Sequence, residues 1–248
     1  MIATLIWFLI GHVIGDFYAQ STTMAHDKKT DRRALFTHIL IYSAVILLLG
    51  ILTFDISYIL LAVVLSVVHG LIDYIKFTYT RSRKLDRQQT IKLFAIDQLL
   101  HVATILVIIA VSFTWLTTPD AWLTSDNYLI EQFSLSFLEV LKWTLAILII
   151  VKPASIIIRL TLSYFGPKEV KDNNPGLLQA GEFIGILERL TILILLGAGA
   201  YAAIGFVLTA KSIARYNKIA EEPKFAEYYL IGTLMSTFIV LIMFHIIF

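Results

Sequence analysis

Cysteine is absent from the 248-residue sequence, and charged side chains make up only 15% of it. The lack of cysteine excludes disulfides, thiolate metal ligands and a cysteine nucleophile. The shortage of charge excludes a soluble globular domain, whose surface has to stay largely polar and charged. The chain is apolar instead: 58% of its residues are hydrophobic and its mean hydropathy is +0.81.

The hydrophobic residues form long continuous runs, at about 2–20, 35–54, 57–79, 89–113, 135–165, 180–217 and 225–248. A helix needs roughly 20 residues to cross the hydrocarbon core of a bilayer, and these runs do not alternate as the strands of a barrel do. The sequence therefore predicts an all-α fold, a polytopic transmembrane helical bundle. The first run lacks a basic start and a small-residue cleavage site, so we expect no cleavable signal peptide.

Charged residues between the runs predict the topology. The basic residues of the first two loops are Lys28, Lys29, Arg32 and Arg33, and then Arg81, Arg83, Lys84 and Arg87. The segment 114–134 has acidic residues but no lysine or arginine. By the positive-inside rule the basic loops face the cytoplasm of a bacterial inner membrane, and the N-terminus is external. We divide the chain into a four-helix half, 1–113, an external loop, 114–134, and a C-terminal half with a basic cytosolic face, 135–248.

The run 180–217 is too long for one simple crossing, and its far end carries Lys211, Arg215 and Lys218. A single crossing would place these cations on the external side, against the positive-inside rule. Gly197 and two further glycines lie near the middle of the run. We therefore expect a broken or re-entrant hairpin here, which gives seven or eight membrane segments in all.

Three of the runs each contain a histidine and an aspartate four residues apart. They are His12 with Asp16, His69 with Asp73, and Asp97 with His101. Residues four apart lie on the same face of a helix. An ionised aspartate at the centre of a membrane helix costs on the order of 3 kcal/mol, so its presence indicates function.

The order of the two residues follows the direction of each predicted helix. Spans 2–20 and 57–79 run from outside to inside and read His then Asp, whereas span 89–113 runs the other way and reads Asp then His. All three aspartates therefore lie about one turn to the cytosolic side of the histidines, and an inverted topology preserves this match. His38, a few residues into span 35–54, adds a fourth histidine at similar depth. We interpret the set as one site with a carboxylate layer and an imidazole layer.

Imidazole and carboxylate ligands favour Zn²⁺, Mn²⁺ or Fe²⁺ over Ca²⁺. The predicted ligands are His12, Asp16, His38, His69, Asp73, Asp97 and His101. This number leaves room for one or two metal ions, and two ions bridged by an aspartate are a common arrangement for hydrolysing phosphate esters. The alternative needs no metal: the same residues would form a proton relay or a polar network that holds helices together.

Further polar residues are candidates for binding substrate. They are Gln20, Lys76 and Gln98 in the first half, and Arg159, Arg189, Lys211 and Arg215 in the second. The first group would orient ligands or substrate. The second would bind an anionic headgroup at the cytosolic face, because arginine suits phosphate. Alternatively, the second group forms interhelical ion pairs or supplies ordinary topology anchors.

Three stretches carry the His/Asp pairs: GHVIGDFYAQ, HGLIDYIK and DQLLH. They resemble a bacterial membrane family known as domain of unknown function 3307. The later stretches GILERL, AKSIARY and EYYLIGTL are similar to longer members of that family. The resemblance implies a membrane protein without a settled activity. There is a looser likeness to membrane-bound metal-dependent hydrolases, which also place histidine and aspartate on N-terminal helices.

Two functions of different classes suit these features. One is a membrane-embedded metal-dependent hydrolase that acts on an amphiphilic substrate, such as a lipid phosphate, with Asp16, Asp73 and Asp97 as catalytic carboxylates. The other is an ion- or proton-coupled transporter that uses the same cluster, for which a broken helix is typical. A non-catalytic sensor would leave the buried titratable groups unexplained. We expect membrane lipids and an anionic or amphiphilic small molecule as partners, and no nucleic acid, because the basic loops match topology signals.

Overall fold

A computed structural model describes residues 1–115, 136–165 and 180–248. Every regular element in these ranges is helical, as the all-α prediction requires. Five of the described helical stretches are long and apolar enough to cross a membrane, if 137–165 is taken as one stretch. This number is typical of a multi-pass membrane protein. Two further apolar helices are shorter, so the total of seven or eight membrane segments stays a prediction. The predicted external loop lies, from residue 116 onward, outside the described residues.

The helices begin and end close to the predicted spans. They are α1 (Ile2–Val13), α2 (Thr22–Asp27), α3 (Arg32–Leu52), α4 (Ile56–Thr80), α5 (Arg87–Trp115), α6 (Phe137–Val151), α7 (Pro153–Phe165), α8 (Ala180–Gly197), α9 (Tyr201–Ile213), α10 (Tyr216–Glu221) and α11 (Pro223–Ile247). The first helix continues into a π-helical turn, Ile14–Tyr18.

The described residues form two compact units, Met1–Leu145 and Ala146–Phe248. In the first unit α3 and α4 form a helical hairpin, α5 packs beside α4, and α1 packs against α3 and α5. Asp55 is the N-cap of α4. Its carboxylate accepts a hydrogen bond of 2.8 Å from the Ser57 amide, which would otherwise lack a partner at the start of the helix. The helices α1, α3, α4 and α5 thus enclose one common interior.

The first helix approaches α3 closely at Gly15. A Cβ atom at this position would lie 2.7 Å from Cδ2 of Tyr42, which is itself only 1% exposed and has no space to retreat. The absence of a side chain at Gly15 therefore allows the contact between the two helices. It sets the segment that carries His12 and Asp16 directly against the part of α3 that carries His38.

In the second unit, the predicted span 135–165 is interrupted at Lys152, because Pro153 lacks the amide hydrogen that a continuous helix needs. The helices α7, α8 and α10 all contact α11. This unit therefore uses the last helix of the chain as its central packing partner.

The run 180–217 is broken, as predicted. The helix α8 ends at Gly197, the backbone turns at Gly199 with φ of 67°, and α9 begins at Tyr201. An ion pair joins Lys211 to Glu188, two residues at similar distances on either side of the turn. Because these residues meet, α8 and α9 fold back on each other as a hairpin.

Replacement of Gly199 tests the hairpin turn. No atom lies within 4 Å of the place that a Cβ would take, so Gly199→Ala costs only backbone energy, about 1 kcal/mol for a left-handed residue. We expect the variant to unfold at a lower mole fraction of dodecyl sulfate in mixed micelles. Gly205→Ala is the control: it also faces open space but lies inside α9 without a positive φ, and alanine favours helix. Equal destabilisation of both variants would contradict the backbone explanation.

Candidate functional site

The structure brings all seven predicted metal ligands together in the first unit. Each of them is at most 4% exposed. The first helix and its π-helical turn carry His12 and Asp16, α3 carries His38, α4 carries His69 and Asp73, and α5 carries Asp97 and His101. We call these residues the His/Asp cluster. Its burial within a bundle of apolar helices means that every charge in it has to be compensated by neighbours.

Three imidazole rings lie side by side. The ring centroid of His101 is 4.3 Å from that of His69 and 5.3 Å from that of His12, and the latter two are 6.0 Å apart. The rings come from helices of both directions. Their contact agrees with the imidazole layer that the order of the His/Asp pairs predicts.

The carboxylates are connected by His38 and Gln98. The Nε2 atom of His38 lies 3.3 Å from Oδ1 of Asp16 and 3.1 Å from Oδ2 of Asp73. The amide of Gln98 donates hydrogen bonds to Asp16 Oδ2 at 2.8 Å and to Asp97 Oδ2 at 3.2 Å. The sequence placed His38 with the other histidines, yet it contacts two carboxylates as well as His69, whose ring centroid is 5.6 Å away. It therefore joins the carboxylate and imidazole groups.

A π-helical turn changes the geometry of one of the three predicted pairs, His12 with Asp16. The amide of Ala19 donates to the carbonyl of Ile14, five residues back, at 2.8 Å. Among the described contacts no ion pair joins His12 to Asp16, whereas His69 Nε2 lies 3.6 Å from Asp73 Oδ2. The wider turn changes the angle between residues four apart, and the imidazole in short contact with Asp16 is that of His38, at 3.3 Å. Single π-helical turns are frequent at functional sites.

Tyr42 belongs to the site although no sequence argument named it. Its ring stacks on His69, with a centroid distance of 3.4 Å and an interplanar angle of 4°. Its hydroxyl lies 3.3 Å from Nδ1 of His12. Tyr42 follows His38 by four residues on α3, so the spacing that identified the His/Asp pairs was also a signal here.

Lys28 is the second residue that sequence reasoning missed. The sequence predicts it as part of a basic cytoplasmic loop, but its ammonium reaches into the cluster. Its Nζ atom lies 2.9 Å from Nε2 of His38, 3.4 Å from Asp16 Oδ1 and 3.6 Å from Asp73 Oδ2. Because Lys28 follows the short helix α2, its position depends on how that segment folds back, and the sequence contains no periodic signal for this.

The candidate substrate residues of the first unit contact the cluster. Lys76 Nζ lies 2.6 Å from Asp97 Oδ2, and the side-chain amide of Gln20 donates to the backbone carbonyl of Asp16. Partial burial and the ammonium groups of Lys76 and Lys28 lower the pKa of Lys29 in the adjoining loop. Three lysines therefore lie at one end of the site, and two of them compensate carboxylates.

Two overlapping groups of residues have ligand atoms close enough to share a metal ion. One group is Asp16, His38 and His69, and the other is His69, Asp73 and His101. Within each group the three ligand atoms lie within 4.8 Å of one another. Because His69 belongs to both groups, two ions would need both of its ring nitrogens, and one ion needs a single nitrogen.

Several buried polar atoms of the cluster have no hydrogen-bond partner among the described residues. They include Nε2 of His12, Nδ1 of His69, Nε2 of His101 and Oδ1 of Asp97. Buried polar atoms normally have partners, and an ion or an ordered water bound among these atoms would provide them. The donor set of imidazoles and carboxylates fits a divalent transition metal.

The four cationic candidates of the second unit line a single cavity of about 610 Å³. They are Arg159, Arg189, Lys211 and Arg215. Lys211 pairs with Glu188, so one of the interhelical ion pairs expected as an alternative is present. The roles of the four residues in binding an anion stay a prediction.

The family comparison covers the first unit. The model of the family described as "Protein of unknown function (DUF3307)" matches residues 4–130, just over half of the chain and all seven residues of the His/Asp cluster. No curated protein and no solved structure matches the chain. The similarity of the later stretches, which lie beyond residue 130, stays a prediction. Because the match contains all three of the motifs that carry the cluster, the chain belongs to the DUF3307 family of proteins of unknown function.

Proposed function

We propose that the chain is a metal-dependent hydrolase of the bacterial inner membrane, with an external N-terminus, that acts on an anionic amphiphile at the cytosolic leaflet. The observation that carries the proposal is the pair of overlapping ligand groups in the His/Asp cluster. Four helices contribute to the cluster, so a bound ion would depend on the complete fold of the first unit. Structural polar networks seldom leave several imidazole nitrogens without partners, whereas a metal site uses them.

The charge balance of the cluster also supports a cation. Three carboxylates, of Asp16, Asp73 and Asp97, face two ammonium groups, of Lys28 and Lys76. With neutral imidazoles, the buried cluster therefore keeps a negative charge. An uncompensated buried charge costs several kcal/mol, and a divalent cation that displaces the Lys28 ammonium would leave the cluster neutral.

Zn²⁺, Mn²⁺ or Fe²⁺, as one or two ions, would polarise an ester oxygen and lower the pKa of a bound water to about 7. The chain supplies the positioning. Gln98 holds two carboxylates through its amide, and Tyr42 keeps the ring of His69 in one orientation by stacking on it. A carboxylate of the cluster outside both ligand groups, such as Asp97, would serve as the general base that takes a proton from water.

The surroundings of the cluster suit a substrate with an anionic group and an apolar tail. Partial burial and then the ammonium groups of Lys76 and Lys28 lower the pKa of Lys29, and an anionic group would relieve the repulsion between these positive charges. The outer face of α4 next to Asp73 is apolar and open, with Leu71 56% and Ile75 67% exposed. An amphiphile in the cytosolic leaflet would place its headgroup near the lysines and its chain along such faces.

Metal content tests the proposal directly. We expect one or two equivalents of transition metal per purified chain, measured by elemental mass spectrometry, and a loss of metal in His69→Ala and Asp73→Ala. The controls are His26→Ala and Asp27→Ala, whose side chains are 83% and 60% exposed outside the cluster. If the wild type binds no metal after reconstitution with Zn²⁺, Mn²⁺ and Fe²⁺, the hydrolase proposal is wrong and the cluster is better treated as a proton or ion pathway.

Removal of the Lys28 ammonium tests whether this group and a metal ion compete for the same position in the His/Asp cluster. Its distances of 2.9–3.6 Å from three cluster atoms leave no room for an ion among them, so Lys28→Met should raise metal affinity about tenfold or more. Affinity is measured by competition with a chromophoric chelator. Lys29→Met is the matched control and should change metal affinity by about twofold at most, because the interaction of the Lys29 charge with the ion is partly screened. Weaker binding in Lys28→Met would show that the lysine supports the ion.

Hydrolysis is tested with metal-loaded protein and short-chain lipid phosphates in detergent, where no gradient exists. We expect release of inorganic phosphate from at least one of them, and a fall to background in Asp73→Asn, which keeps the size of the side chain but not its charge. The exposed Asp27→Asn should keep full activity. Metal-loaded protein that releases no product, but moves cations into sealed vesicles, would favour the transporter instead.

A further inference from the structure

The cavity of the second unit is lined by both polar and apolar side chains. Its volume of about 610 Å³ lies in the range of small-molecule sites. Residues from α7, α8, α9 and α11 surround it. Its position within the second unit makes it distinct from the His/Asp cluster, so its function can be considered independently of any metal.

The lining carries an excess of positive charge. Four cationic residues line the cavity, and the only acid among the lining residues is Glu182. Lys211 is neutralised by the buried Glu188 behind it. Among the described residues, no ion pair is made by Arg159 or Arg215, whose guanidinium groups therefore stay available. Unpaired cations around a cavity attract an anion.

Arg189 is fixed in place with one nitrogen unused. It is 3% exposed, its Nε donates to the carbonyl of Ile150 at 2.7 Å, and its Nη2 donates to Ser155 Oγ at 2.5 Å. The Nη1 atom makes no hydrogen bond with the described residues. A Cβ at Gly185 would lie 3.3 Å from this nitrogen, so the glycine leaves space beside it. A guanidinium fixed in this way is prepared to bind an oxyanion.

Two hydroxyl groups of the lining also lack partners. The buried oxygen atoms of Tyr229 and Ser236 have no hydrogen bond within the described part of the chain, and both residues line the cavity. A hydroxyl can donate to an anionic oxygen that guanidinium groups hold from the other side. Unsatisfied hydroxyls and unpaired arginines around one volume indicate a ligand that accepts hydrogen bonds.

The lining also contains apolar side chains, which we call the apolar wall. Ile158, Leu162, Ile184 and Phe225 belong to the lining, and Ile184 is 43% exposed at the outer surface of α8. A free inorganic anion would gain nothing from these side chains. A ligand with an acyl chain would bury apolar surface against them.

We propose that this cavity binds the phosphate headgroup of one anionic lipid molecule. The guanidinium groups of Arg159, Arg189 and Arg215 hold the phosphate oxygens, and the apolar wall contacts the start of the acyl chains. A phosphate monoester fits best, because its charge of nearly −2 matches the excess positive charge and its oxygens match forked guanidinium donors. The lipid site stands whether or not the first unit binds metal.

Native mass spectrometry of the full chain, released from mild detergent, tests the site. Phosphatidic acid, phosphatidylcholine and inorganic phosphate are added in separate titrations. We expect one phosphatidic acid per chain, with at least tenfold weaker binding in Arg159→Gln and in Arg215→Gln. These exposed residues are chosen because substitution of the buried Arg189 endangers folding. The control Lys224→Gln removes one exposed cation of the same unit that does not line the cavity, and should bind as the wild type does.

Three results would overturn the proposal. Equal binding of phosphatidylcholine would show that the charge of the headgroup is not recognised. An equal loss in Lys224→Gln would show a general attraction to the basic surface. Inorganic phosphate bound as tightly as phosphatidic acid would remove the lipid as the ligand, because the apolar wall would then contribute nothing.

Discussion

The burial of three carboxylates among apolar helices is the constraint on which the first unit depends. Water cannot stabilise Asp16, Asp73 and Asp97, so the protein has to supply cations and hydrogen-bond donors from several elements. His38 joins Asp16 to Asp73, Gln98 joins Asp16 to Asp97, and Lys28 contacts the carboxylates from the segment after α2. The compensation therefore also connects the helices, and a change at one carboxylate affects the position of all its partners.

The second unit handles buried charge differently. Arg189 is held by the carbonyl of Ile150, close to the interruption that Pro153 causes, and by a serine hydroxyl. Glu188, its neighbour in sequence, points to another partner, Lys211, across the α8–α9 hairpin. These contacts hold the unit together, yet they leave cations and hydroxyls facing the cavity. In both units the unsatisfied groups are concentrated at one place instead of being scattered, which is typical of binding sites.

Much of the fold and of the site was accessible from periodicity and charge. Continuous apolar runs predicted the long helices, and the positive residues at the far end of the run 180–217 predicted a break within it, which the structure has at Gly199. Pairs at four-residue spacing predicted which residues meet, because helix geometry is the same wherever it occurs. Four-residue spacing did not indicate the π-helical turn that begins after His12 and contains Asp16, because periodicity alone does not reveal such a turn. Lys28 was interpreted as a topology signal only, because a lysine after a short helix carries no indication of where its long side chain ends.

The sequence by itself determined that the chain is an apolar helical protein, that its acidic and imidazole side chains share helix faces, and that it has no thiol chemistry. These properties follow from local rules of spacing and composition. Only the tertiary structure decided that His38 joins the carboxylates, that Tyr42 stacks on His69, and that an ammonium lies among the candidate metal ligands. Such contacts join residues distant in the chain, and their geometry depends on how closely the helices approach, which a single glycine opposite Tyr42 permits.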